Sequence, residues 1–94
     1  MKKEFTKEMV AEIEKANNEV KGTSVYGAYY VPFEAKTKGR WHHIGWGPAN
    51  RTGVIKKTNN GNLYVYYTDS YGNEYRFGLT NIYCKKFNIT SEVA

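Results

Sequence analysis

The sequence predicts an α+β protein: an N-terminal amphipathic helix packed on a small, strongly bent antiparallel β-barrel of five to six short strands. Three observations predict it. Phe5, Met9, Ile13, Ala16 and Val20 follow steps of four, four, three and four, one stripe of a 3.6-residue period. After Gly22 the pattern changes to short runs rich in Val, Tyr, Ile and Trp, many with two-residue alternation. Turn residues then recur every 8–12 positions, which suits a small curled sheet rather than a two-sheet sandwich. With 94 residues the chain has room for one core, divided as a helix over 1–22, a barrel over 23–88 and a frayed tail over 89–94.

Each element has a local reason. Glutamates and lysines fill the polar faces of the first segment, and Lys21 followed by Gly22 is a C-terminal stop, a cation in the last turn before a residue that accepts positive φ. Ser24–Phe33 reads as a strand ended by Pro32, and Arg40–Trp46 as a short aromatic strand before a Gly47-Pro48 breaker. Thr52–Lys57 and Asn62–Thr68 flank Asn60-Gly61, the signal of a two-residue type I′ hairpin. Asp69–Asn73 is a second turn, leading into Glu74–Leu79, and Ile82–Phe87 reads as a last strand. Alternation puts Leu63, Val65 and Tyr67 on one face, opposite Tyr64 and Tyr66. It likewise separates Tyr75, Phe77 and Leu79 from Glu74, Arg76 and Gly78.

Composition narrows the function classes. No apolar run approaches the roughly 18–20 residues of a membrane span, and no signal-peptide core follows the N-terminal lysines, so a cytoplasmic protein without membrane partners is expected. Cys84 is the single cysteine, which excludes an internal disulfide framework and a multi-cysteine zinc site. His42 and His43 are adjacent, so on a strand they point to opposite faces and cannot chelate one metal. No metal and no cofactor is expected. Of the net charge of +5, none comes from residues 1–22, where five lysines cancel five glutamates. Residues 23–94 hold nine basic side chains against Glu34, Asp69, Glu74 and Glu92. A basic excess confined to one module points to a polyanion.

Gly53-Val54-Ile55, a hairpin, and then the run Leu63–Glu74 (LYVYYTDSYGNE) together resemble a Tudor/KOW-type small β-barrel of the Src-homology-3-like kind. That family often shows a strand ending in an aromatic, then Asp-Tyr-Gly-Asn, then a strand with an acidic residue; here Ser70 adds a residue between Asp69 and Tyr71. Leu79-Thr80-Asn81-Ile82 is similar to the short helical turn before the final strand of such barrels. The resemblance covers about residues 50–87 and implies a binding module for methylated lysine or arginine, RNA, DNA or a polymerase surface. Tyr66, Tyr71 and Tyr75 with Asp69 supply the residue types of a methyl-cation cage, although the basic balance of the barrel disfavours a cationic ligand.

The expected function is non-catalytic binding of nucleic acid, single-stranded in preference, on a basic, tyrosine-rich sheet face. Exposed rings stack on any base while cations follow the backbone. The residues of these types are Arg40, Trp41, Trp46, Arg51, Lys56, Lys57, Tyr64, Tyr66 and Arg76. The alternative is a small protein-binding inhibitor or modulator of a host enzyme, an accessory protein of the kind phages encode. Glu34, His42 or His43, and Arg40 or Arg51 are the types a metal-independent ribonuclease uses, but closeness in sequence is all that joins them, and no enzyme is expected.

Overall fold

Alternation in the middle strands decides which face of this molecule is buried. The computed structural model describes residues 3–19 and 30–90. In chain order the elements are β1 (Lys3–Phe5), α1 (Lys7–Glu19), β2 (Tyr30–Thr37), β3 (Arg40–Pro48), β4 (Gly53–Lys57), β5 (Leu63–Thr68), β6 (Glu74–Gly78) and α2 (Asn81–Lys86). The strands form one antiparallel sheet in the order β1-β4-β5-β6-β2-β3. Val31, Ile55, Leu63, Val65 and Phe77 point to its inner face and are buried there. Phe5, Ile13 from α1, and Tyr83 and Ile89 from the C-terminal region complete the same core. The rings pack at angles, with Phe5 edge-on to both Phe77 and Phe87 at 5.5 and 5.8 Å.

The sheet is open, which corrects the barrel expected from sequence. β1 and β3 stand at its two ends, with no ladder joining them among the described residues. The last expected strand, Ile82–Phe87, is the helix α2. Thr80 caps it: its Oγ1 accepts from the Tyr83 N–H at 3.4 Å. Tyr83 and Cys84 in this helix pack against the core, as do Ile89 and Phe87 beyond it. Helices cover the inner face, so its apolar side chains find burial without closure of the strands on themselves. Ile89, assigned by sequence to the tail, is buried.

The N-terminal stripe is split between two elements. Phe5 belongs to β1, which pairs with β4, and Thr6 then starts α1 with its Oγ1 accepting from the Met9 N–H at 3.4 Å. The Lys21-Gly22 stop and the beginning of the Ser24–Phe33 strand lie outside the described residues. Pro32 does not end β2; the β2–β6 ladder begins at Phe33, so no donor is required at Pro32 on that side. Nor does Gly47-Pro48 break β3, which pairs with β2 as far as Pro48. The two strands are joined by Lys38-Gly39, both at positive φ, the geometry of a two-residue turn that matches strand twist.

The other hairpins use a longer turn. At Thr58–Asn62 and at Asp69–Asn73 the first N–H donates to the fifth residue's carbonyl and the fourth N–H to the first residue's carbonyl. The fourth residue, Gly61 or Gly72, takes positive φ in each. These are three-residue loops closed by a glycine bulge, so Asn60-Gly61 is not the two-residue turn that the dipeptide suggests. Asp69 braces its own loop, with Oδ1 accepting from the Tyr71 and Asn73 N–H groups, each at 2.9 Å.

Two outcomes follow from this packing. A Cβ at Gly53 would run into the Tyr66 carbonyl oxygen and stand 2.9 Å from Val65 Cγ1. Gly53→Ala is therefore expected to cost about 1–3 kcal/mol in urea unfolding, as overpacking against backbone does. Partial desolvation pushes the Asp69 carboxyl up, but the hydrogen bonds from Asn73 and Tyr71 outweigh it and hold it below the ordinary carboxylate value. Its support for the hairpin is present above the unfolded carboxylate pKa of about 3.9 and is lost as pH falls through the lower folded value. Protection of the Tyr71 and Asn73 amides from exchange, taken relative to an unstructured chain at the same pH, should fall in that acid window in wild type, and Asp69→Asn should remove the acid step.

Candidate nucleic-acid interface

The outer face carries aromatic rings where the inner face carries core. In register across the sheet, Tyr66 lies opposite Arg76 and Arg76 opposite Glu34, while Lys56 lies opposite Tyr64 and Tyr64 opposite Gly78. Lys36 faces Trp41, and Pro32 faces Trp46. Trp41 and Trp46 are five residues apart and would point to opposite faces of a regular strand. A bulge changes that. Phe33 pairs with Gly45 and Glu34 with His43, which leaves Ile44 as an extra residue in β3. Both indoles consequently reach the outer face.

Arg76 occupies the centre of this face. Its guanidinium carbon lies 4.3 Å from the Tyr64 ring centroid, 4.5 Å from that of Trp41 and 5.8 Å from that of Tyr66. Nε donates to Glu34 Oε2 at 2.5 Å and Nη1 donates to the Tyr66 hydroxyl at 3.1 Å. The Arg76 and Glu34 side chains are 14% and 19% exposed, so water screens this pair less than a surface bridge. Desolvation alone would lower the guanidinium pKa, but the hydrogen bonds to Glu34 and Tyr66 outweigh it and raise it. Burial pushes the Tyr64 phenol up and Glu34 adds to this, with Arg76 opposing. Around this centre, Lys56 sits 5.4 Å from the Tyr66 ring centroid, and Lys36 bridges to Glu74 at 3.5 Å.

Of the nine residues expected at the interface, Trp41, Trp46, Lys56, Tyr64, Tyr66 and Arg76 share the outer face. Three stand apart. Arg40 follows the opposite parity from Trp41, at the tip of the β2–β3 hairpin. Lys57 has the parity of Ile55, at the exposed end of β4. The charge of Arg51 opposes the rise in the Tyr67 phenol's pKa caused by burial, which places Arg51 by the inner side of the sheet. Sequence reasoning named Glu34 only as an acid–base type and did not single out Lys36; their places beside Arg76 and Trp41 depend on the β2–β6 and β2–β3 pairings.

The methyl-cation cage of Tyr66, Tyr71 and Tyr75 with Asp69 is not assembled. Tyr75 is on the inner face, stacked on Tyr67 at 5.5 Å, whereas Tyr66 is on the outer face. Tyr71 is 89% exposed at a hairpin tip. The residues considered for ribonuclease chemistry are also dispersed: Glu34 is engaged by Arg76, and His42 and His43 pair with Ala35 and Glu34 on opposite faces. Among the described residues no group of three or more His, Cys, Asp or Glu could hold a metal ion. No helix among them is long and apolar enough to cross a membrane.

Comparison with protein-family models, with curated proteins and with solved structures finds no match.

The Arg76 cluster makes a direct prediction. Arg76→Ala leaves Glu34 desolvated without its partner and uncovers the Trp41, Tyr64 and Tyr66 rings; breaking a fully buried pair costs about 3–5 kcal/mol, and residual exposure brings the expectation here to about 2 kcal/mol. Glu34→Gln should cost less. The double variant should be more stable than the sum of the two losses predicts, by at least about 0.5 kcal/mol in urea unfolding.

Proposed function

We propose that the chain is a non-catalytic nucleic-acid-binding module that holds single strands on the outer face of its sheet. The observation that carries this reading is the gathering of Trp41, Trp46, Tyr64 and Tyr66 on one face together with Lys56 and Lys36. Trp46 is 55% exposed and free to stack on a base. Arg76 has a different role from that of a phosphate contact. Its charge is met by Glu34 and its plane is covered by rings, so it holds the aromatic side chains in place. Phosphates would meet Lys56, with Lys38 and Arg40 at the exposed hairpin tip beside Trp41, whereas Lys36 is met by Glu74.

One observation favours the alternative, a protein-binding modulator. Ile44 and Ile82 are 57% and 53% exposed, and exposed aliphatic side chains suit a protein surface better than a nucleic acid.

Fluorescence anisotropy with labelled single-stranded DNA, single-stranded RNA and duplex DNA at two salt concentrations separates the two readings. The nucleic-acid reading expects single strands to bind with a log–log salt slope of about −0.7 per phosphate contacted. Lys56→Gln should weaken binding and flatten that slope by roughly one contact. Arg51→Gln, on the inner side, should leave both unchanged. Absence of binding to all three at low salt overturns the reading.

A further inference from the structure

The outer face ends in an open groove of about 480 Å³ between the β4–β5 hairpin, β6 and α2. Its size is within the range of small-ligand sites. Trp46 and Tyr64 provide its aromatic walls, and Pro32 and Gly78 lie between them. The flatness there has a cause. A Cβ at Gly78 would come within 3.2 Å of Pro32 and 3.6 Å of the Tyr64 ring, so glycine keeps the passage between rings open. Asn62 and Asn81 also line the groove, and their carboxamides make no hydrogen bond among the described residues.

Charge is distributed unevenly around this groove. Among the described residues no carboxylate lines it. Lys56 and Lys57 lie opposite its lining residues Tyr64 and Leu63 in the β4–β5 ladder. Lys85 follows Asn81 by four positions on α2, hence on the same side of that helix. The groove thus offers stacking rings, unengaged donor–acceptor amides and flanking cations, which complement a flat, hydrogen-bonding ring attached to phosphate.

We infer that this groove is a subsite for one unpaired nucleobase, stacked on Trp46 and discriminated at its edge by Asn62 and Asn81, with the adjoining phosphates on Lys56 and Lys85. The inference rests on the nucleic-acid reading and goes further: it makes the module selective at one base rather than indifferent to sequence. A carboxamide that both donates and accepts matches the edge of adenine in particular. Cys84 also lines the groove and is the chain's single cysteine, so its thiol reports occupancy.

The test titrates wild type with single-stranded dodecamers of deoxyadenylate, deoxycytidylate and thymidylate, and with an abasic dodecamer of the same charge. Trp emission and the rate of Cys84 alkylation by N-ethylmaleimide are read in parallel. The expected result is that base-bearing strands bind at least about fivefold more tightly than the abasic strand, the lower end of one base's stacking. They should also slow alkylation of Cys84. Trp46→Ala should remove most of that margin, and Asn62→Ala with Asn81→Ala should reduce the differences among bases while leaving the abasic affinity unchanged. Because all three side chains border solvent, urea unfolding of these variants should stay near wild type. Equal, salt-sensitive binding of abasic and base-bearing strands would overturn the base subsite and leave the general reading standing. Base preference untouched by all three substitutions would overturn this groove as its location. Failure of every strand to bind would overturn both readings together.

Discussion

One guanidinium joins the strands that make the outer face. Arg76 extends from β6, meets Glu34 on β2, lies against Trp41 on β3, and rests between Tyr64 and Tyr66 on β5. The inner face needs no such device, because apolar side chains there bury one another and are covered by the helices. The outer face has no second layer among the described elements. Its rings touch one another at an angle, Trp41 with Tyr66 at 5.6 Å and Tyr64 with Tyr66 at 6.3 Å, but no layer covers them. A cation held by a carboxylate gives them a common contact, worth about 0.5–2 kcal/mol per ring according to solvation. Stability and the geometry of the candidate interface therefore share one side chain.

The arrangement also explains how a chain with net charge +5 can present a face that is not strongly basic. Arg76 is met by Glu34, and Lys36 by Glu74, so two of the cations on this face carry their own counterions. Positive charge with no carboxylate partner among the described residues lies at its margins: on the Lys38–Arg40 tip, at the Lys56–Lys57 end of β4, and at Lys85 on α2. Rings in the centre with cations at the edge is a layout in which stacking and phosphate contacts do not compete for the same surface. The groove beside Trp46 extends it by placing amides near the rings.

Local pattern was a sound guide wherever neighbours in sequence decide the outcome. Alternation in Leu63–Thr68 and Glu74–Gly78 places the rings and Arg76 on the same face as the structure does, and the glycines mark both bulged hairpins. It misled where a tertiary contact overrides local preference. Ile82–Phe87 has the aromatic and aliphatic content of a strand. The Thr80 cap and the burial of Tyr83 make it a helix, and with that the barrel loses its closing strand. Likewise Gly47-Pro48 reads as a break, but β2 holds the segment in the ladder.

By itself, then, the sequence determined where β3, β4, β5 and β6 lie along the chain and the residue types that gather outside the sheet. Periodicity and turn chemistry are properties of adjacent residues, so they survive without a fold. The open sheet, the partners of Arg76 and the shared direction of the two indoles were decided by tertiary structure. Trp41 and Trp46 have opposite parity along the chain. They face the same way because β2 pairs with β3 around an extra residue, Ile44, and the choice of where to place such a bulge belongs to the pair of strands rather than to either one.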